Sequence, residues 1–335
     1  MKKLSRLFKI LFLTASFLRG YVFAQDDSLR IIKTRYAFEE SKTISKTFAL
    51  QPADRVELSN RYGKIEIHPW NRPEIKADIK LVATAKTAEW AKSVLNDMDI
   101  ETAQTNGHII INSLFVSDLD KKEGNKPGSQ RMDKYRGKNS SQTLEVIYDV
   151  YMPVTHTLKI KNMLGAIVLP DYKGGLEIEN EHGILVAGKL DNLRSLKTNS
   201  GKVQINEINN CTLLMDNTTA TFKKLSGTIR LTLNYCKGMQ LNLDNSLKKL
   251  DIKASYSVVA LKPAAGFSGS FRVKTNFGNF SSRGDLDVSA SGDDDTRIFK
   301  AKAGTGARPV NVDASFGRII IGDLQPDDMN EVFKN

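Results

Sequence analysis

Apolar and polar residues alternate in short runs along almost the whole chain from Lys42 onward, which is the pattern of strands with one buried face. Val56 and Leu58 flank Glu57, and Ile65 and Ile67 flank Glu66, with Asn60, Arg61, Tyr62 and Gly63 turning the chain between them. Ile75, Ala77, Ile79 and Leu81 share one face of a further strand. Ile109 to Ile111 and Leu144 to Val150 are strands on either side of a polar segment, 117–142, too poor in apolar residues to bury area and so expected as a surface loop.

One segment has a different period. Between Thr84 and Met98, Trp90, Val94 and Met98 recur every four residues, with Ala91 and Leu95 beside them and neither Gly nor Pro inside. This predicts one amphipathic helix over 84–98. An array of strands leaves edges and apolar surface open at its ends. The helix is therefore expected to act as a cap, with Trp90 packed onto the first strands.

From Leu158 the chain repeats. Asn162 with Gly165, Asn180 with Gly183 and Asn199 with Gly201 each precede an alternating apolar run, as Asn60 with Gly63 does earlier. Eroded copies follow at Asn217, Asn234 and Ser255, and the series closes with Asn276 and Gly278, then Ser315 and Gly317. The steps from Asn162 to Asn276 are 18, 19, 18, 17, 21 and 21 residues. Such a period predicts an all-β fold, a β-solenoid of stacked short-strand coils of 17–21 residues. A β-sandwich is the alternative, because alternating short strands serve both. Asn and Gly are the residues that accept left-handed turns at least cost. Stacked Asn amides, and Tyr256, Phe277 and Phe316 one residue past the turn position, are expected to form ladders along the stack.

The first 24 residues have a basic start, an apolar stretch from Leu7 to Leu18 and Val22, Phe23 and Ala24 before Gln25, the layout of a cleaved secretory signal. The domain plan is then a signal at 1–24, a flexible leader at 25–41, the β-repeat domain at 42–324 and a tail at 325–335. Removing the signal takes away five cations and leaves +6 of the chain's net charge of +11. Spread along the chain, that is no nucleic-acid stripe. No transmembrane segment is expected after cleavage, and the expected location is the periplasm or cell surface. Export would permit a disulfide between Cys211 and Cys236, but their 25-residue spacing does not match the repeat.

Chemistry is sparse. His68, His108, His156 and His182 show no metal-ligand spacing, and there is no nucleophile elbow or phosphate loop. Asp293, Asp294 and Asp295 lack the spacing of a calcium loop and read as a solvated acidic turn. No catalytic residue, cofactor or metal is expected.

Ser59 to Trp70, then a strand, a helix, Asn106 to Ile111, Tyr151 to Pro153 and the Gly-turned repeats resemble the bacterial putative-adhesin β-solenoid family. Asn311 to Ile321 is similar to that family's closing rung, and the resemblance covers Phe48 to Gly322. It implies an exported envelope or surface protein without a defined activity. Repeat architectures make extended surfaces, so a non-enzymatic binding or scaffolding surface for an envelope polysaccharide or protein is expected. A glycan-active enzyme on stacked coils and a periplasmic accessory to signalling are the alternatives.

Overall fold

A computed structural model describes residues 37–115 and 142–329. The chain divides into two units, Met1–Arg35 and Tyr36–Asn335, and all the described residues belong to the second. The expected signal, most of the expected leader and nearly all of the 117–142 loop lie outside them.

The described residues are almost all strand, with one α-helix. The strands are β1 (Phe38–Ala49), β2 (Arg55–Asn60), β3 (Gly63–Pro69), β4 (Glu74–Ala85), β5 (Met98–Thr105), β6 (His108–Phe115) and β7 (Gln142–Met152). Then come β8 (Thr157–Met163), β9 (Gly165–Leu169), β10 (Leu176–Glu181), β11 (Ile184–Leu190), β12 (Leu193–Asn234) and β13 (Lys237–Ser255). The last are β14 (Val258–Pro263), β15 (Gly269–Asn276), β16 (Asn279–Ser282), β17 (Val288–Gly292), β18 (Thr296–Ala303), β19 (Arg308–Ser315) and β20 (Arg318–Ile321). The helix, α1 (Ala88–Asn96), lies between β4 and β5.

Two parallel ladders run on either side of the turns. In the first, β2, β8, β10 and β12 align Leu58 with Ile160, Ile178 and Leu196. In the second, β3, β9, β11 and β12 align Ile65 with Ile167, Leu185 and Val203. These aligned residues are all buried, so each strand completes the apolar face that its neighbour cannot bury alone.

The order of the strands departs from the order of the sequence near the C-terminus. The turn at Ser315 to Gly317 was expected to close the series. Instead β19 pairs in parallel with β13 on one edge and with β15 on the other. Likewise β20 lies between β14 and β16. The antiparallel strands β17 and β18 are the reason: β18 takes the outer edge of β15, and the chain then returns to fill the gap left between β13 and β15.

Other boundaries also move. The expected leader ends early, because β1 begins at Phe38 and pairs antiparallel with β4 along its full length. Glu39, Glu40, Lys42 and Lys46 on β1 put charge on a strand whose one partner among the described residues is β4, which blunts its free edge. The helix is shorter than 84–98, since β4 continues to Ala85 and Thr87 caps the helix by accepting from Trp90 N at 3.3 Å. Its buried stripe is Ala91, Val94 and Leu95, continued by Met98 at the start of β5. Trp90 lies off that stripe and is 52% exposed, so it does not pack onto the strands as expected.

The expected tail is held at its start. Residues Pro326–Met329 form a 3-10 turn that buries Asp328 against Arg283 at 2.6 Å and Arg318 at 3.4 Å. No helix among the described residues is long and apolar enough to cross a membrane.

Candidate functional site

The turns between the two ladders decide what the surface presents. In most of them the left-handed residue is neither the Asn nor the Gly that marks the repeat, although Gly63 itself has φ 118°. It is the residue just before the Gly: Leu164, His182, Ser200, Phe277 and Phe316 have φ between 50° and 56°. Asn217, Tyr235 and Tyr256 hold the same position in the eroded turns, with φ between 45° and 54°. Bulky side chains seldom adopt this conformation.

Gly is needed for closeness instead. A β-carbon on Gly165 would lie 1.7 Å from the carbonyl oxygen of Gly63, and one on Gly201 would lie 2.2 Å from that of Gly183. In the eroded turns Thr218, Cys236 and Ser257 follow the left-handed residue, and their side chains hydrogen-bond in the gap. Cys236 N donates to Ser257 Oγ at 3.0 Å, and Thr218 Oγ1 lies 3.0 Å from Thr198 Oγ1. The erosion read from the sequence is thus a second way to close the same corner.

The Asn positions separate into two columns. Asn60, Asn162 and Asn180 are buried and in register, and Asn162 Nδ2 donates to Asn180 Oδ1 at 3.4 Å. The next member is Thr198, not Asn199, because Asn180 aligns with Thr198. Asn199 is exposed and accepts from Ser200 Oγ. Asn234, Ser255, Ser315 and Asn276 form the other column, partly exposed and one residue nearer the left-handed position.

Immediately beyond that second column stand four aromatic rings. Tyr235 stacks on Tyr256 at 5.1 Å with an interplanar angle of 7°, and Tyr256 on Phe316 at 4.9 Å and 8°. Phe316 stacks on Phe277 at 5.4 Å and 11°. Strand spacing of about 4.8 Å sets this repeat. Tyr235, Phe277 and Phe316 are 54%, 59% and 43% exposed. The ring faces cover one another, so the stack offers solvent mainly ring edges, which carry the positive end of the ring quadrupole. The expected ladder of Tyr256, Phe277 and Phe316 is present, in a different order, and Tyr235 extends it. Tyr235 was readable, since it too follows the Asn or Ser of its turn.

The two cysteines are not bridged. Both are free and buried: Cys211 points inward from a strand, and Cys236 sits at a turn with its Sγ on Met215 O at 3.3 Å. Their 25-residue spacing places Cys211 within β12 and Cys236 at the turn between β12 and β13. Burial pushes the Cys211 thiol up to about 12 and the Cys236 thiol up to about 11.

The remaining candidates fall elsewhere. The acidic turn is a capped hairpin corner, with Asp293 Oδ1 accepting from Asp295 N and Thr296 N and Asp294 paired to Arg297. His182 is an exposed left-handed turn residue, and His156 Nε2 lies 3.1 Å from Gln51 O. His108 is 3.6 Å from Glu57. His68 has richer company on the outer face of β3, β7 and β4, where Glu66, His68 and Asp149 bring one donor atom each within 4.8 Å of one another. Its ring stacks on Tyr151 at 4.8 Å, and Trp70 leans on the same tyrosine at 5.7 Å.

No family model matches the chain, and no curated protein does. Among solved structures, a putative cell adhesion protein from Clostridium sporogenes ATCC 15579 is similar over 84% of this chain and 99% of its own, at 12% identity and a TM-score of 0.20. A putative adhesin from Bacteroides fragilis NCTC 9343 is similar over 84% of this chain and 97% of its own, at 9% identity and a TM-score of 0.38.

Proposed function

We propose that this chain is a non-enzymatic envelope or cell-surface protein built as a β-solenoid, whose aromatic turn column is a binding strip for an extended, oxygen-rich envelope polysaccharide. The solenoid reading draws support from parallel pairing at one-rung offsets, such as Leu158 with Leu176 and Ile178 with Leu196. Export rests on the N-terminal charge and apolar pattern.

The observation that carries the binding reading is the single stack of Tyr235, Tyr256, Phe316 and Phe277, in which Tyr235, Phe316 and Phe277 are exposed and Tyr256 is half-buried. A turn needs none of these rings, since Leu164, His182 and Ser200 fill the same position elsewhere. Left-handed backbone at a bulky residue costs on the order of 1 kcal/mol, so four such residues in one row ask for a compensating role. Ring stacking supplies part of it and leaves edges that attract hydroxyl and carboxylate oxygens. The adjoining column of Asn234, Ser255, Ser315 and Asn276 lines the strip with further hydrogen-bonding groups.

The test is a glycan array with the chain from Gln25 onward, run beside a variant carrying Tyr235→Ser and Phe277→Ser, and paired with a reducing-sugar assay. Binding that the variant loses, without product release, is the expected result. Release of sugar ends would replace this reading with a glycan-active enzyme, and binding unchanged in the variant would move the site off the strip.

A further inference from the structure

The outer face of β4, β7 and β3 carries an arrangement that the aromatic strip does not explain. Asp78 is the register partner of Asp149, and Asp149 is the register partner of Glu66. Three carboxylates thus stand in one row on three adjacent strands. Like charges directly opposite one another on neighbouring strands oppose pairing. Two of the three are compensated within the face. Asp78 accepts from Lys76 at 2.6 Å and from Ser45 at 2.7 Å, which hold its carboxyl below the usual range, and Glu66 is paired with Lys64. The middle one, Asp149, has His68 Nε2 at 3.5 Å as its side-chain partner among the described residues.

That contact is long for a hydrogen bond, whose N to O distance is normally about 2.7–3.2 Å. It matches the edge of a tetrahedron around a metal with bonds of about 2.0–2.1 Å, which is about 3.4 Å. Glu66 completes a set of three donors within 4.8 Å. We propose that Glu66, His68 and Asp149 bind a divalent transition-metal ion of the Zn²⁺ class, with solvent at the remaining position. One imidazole and two carboxylates suit a first-row ion better than Ca²⁺ or Mg²⁺, which take oxygen donors alone.

The framework around the donors is stiff. Glu66 and His68 are two residues apart on one strand and so share a face, and hydrogen-bonded register fixes Asp149 against them. Stacking on Tyr151 restrains the plane of the His68 ring. The side chains of Glu66, His68 and Asp149 are 29%, 33% and 43% exposed, which leaves the site open to ions from solution. Lys64 is also partly exposed, and an ion pair of that kind contributes little, so its displacement from Glu66 is no obstacle.

The experiment titrates the untagged chain from Gln25 onward with Zn²⁺ by calorimetry. Co²⁺ is used in parallel for its visible absorption and for quenching of Trp70, which lies beside the site, in a Trp90→Phe background. One Zn²⁺ per chain is expected, weakened at least about tenfold by either His68→Ala or the nearly isosteric Asp149→Asn, with unchanged circular dichroism. Asp293→Asn, in the hairpin corner, should bind as the parent does. Absence of Zn²⁺ binding to the parent would overturn the site, as would binding that His68→Ala and Asp149→Asn both leave intact. Glycan binding by the aromatic strip is a separate measurement and is unaffected by either outcome.

Discussion

Phe316 stacks on Tyr256 at 4.9 Å and nearly parallel, although sixty residues separate them in the chain. The contact exists because β19 is inserted between β13 and β15, so the last turn of the sequence becomes the third member of the ring stack.

The stack should be measurable as a coupling. In a double-mutant cycle with Tyr256→Ala and Phe316→Ala, urea denaturation is expected to give an interaction energy of about 0.5–1.5 kcal/mol. The same cycle on Tyr235 and Phe277, which do not touch because Tyr256 and Phe316 stand between them, should give a value near zero.

The buried amide column predicts an asymmetry. Asn162→Ala removes the donor to Asn180 Oδ1 and is expected to cost about 1–3 kcal/mol of stability. Asn162 Oδ1 and Asn180 Nδ2 already have no hydrogen-bond partner in the buried column. The pair Asn162→Leu with Asn180→Leu should therefore cost less than the sum of its two single changes, as read by denaturant midpoints.

Acid should release the C-terminal clasp. Burial works to raise the Asp328 carboxyl, but the Arg283 hydrogen bond, the Gln325 amide and the charges of Arg283 and Arg318 outweigh it and hold it below the ordinary range. A carboxyl depressed in the folded state stabilises it fully above the ordinary value near pH 4, and that contribution fades as pH falls through the depressed value. The protection factors of the residue 327–329 amides, which remove the intrinsic pH dependence of exchange, are expected to fall below about pH 4. In Asp328→Asn the segment should show low protection at every pH, with the step abolished.

The thiols should be inert in the folded protein. Both are buried with raised proton affinity, so a thiol reagent at pH 8 is expected to label neither Cys211 nor Cys236 until denaturant is added. Mobility should be the same with and without reductant. Labelling of one thiol equivalent or more in the folded state would contradict the buried positions.

How far the sequence reached differs from feature to feature. Alternation placed the strands around Val56, Ile65 and Ile79 correctly, because inward and outward residues must alternate wherever one face is buried. Helical spacing located α1 but misassigned Trp90, since the four-residue period admits two neighbouring stripes and packing chose the one through Ala91 and Leu95. The Asn-to-Gly turns were visible, whereas their mechanics were not: which residue is left-handed, and that Gly serves close approach, depend on the neighbouring strand.

The sequence by itself determined the all-β character, the near-regular period and the residues that fill each turn, because these follow from local alternation and local backbone preference. Tertiary structure alone decided which turns are neighbours. Placing β19 between β13 and β15 is a matter of which strand edge remains free after β18 has paired, and edge pairing is indifferent to distance along the chain. The order of the rings from Tyr235 to Phe277 follows from it. The meeting of Glu66, His68 and Asp149 is a separate tertiary decision, the parallel pairing of β3 with β7, strands some eighty residues apart in sequence and adjacent in register.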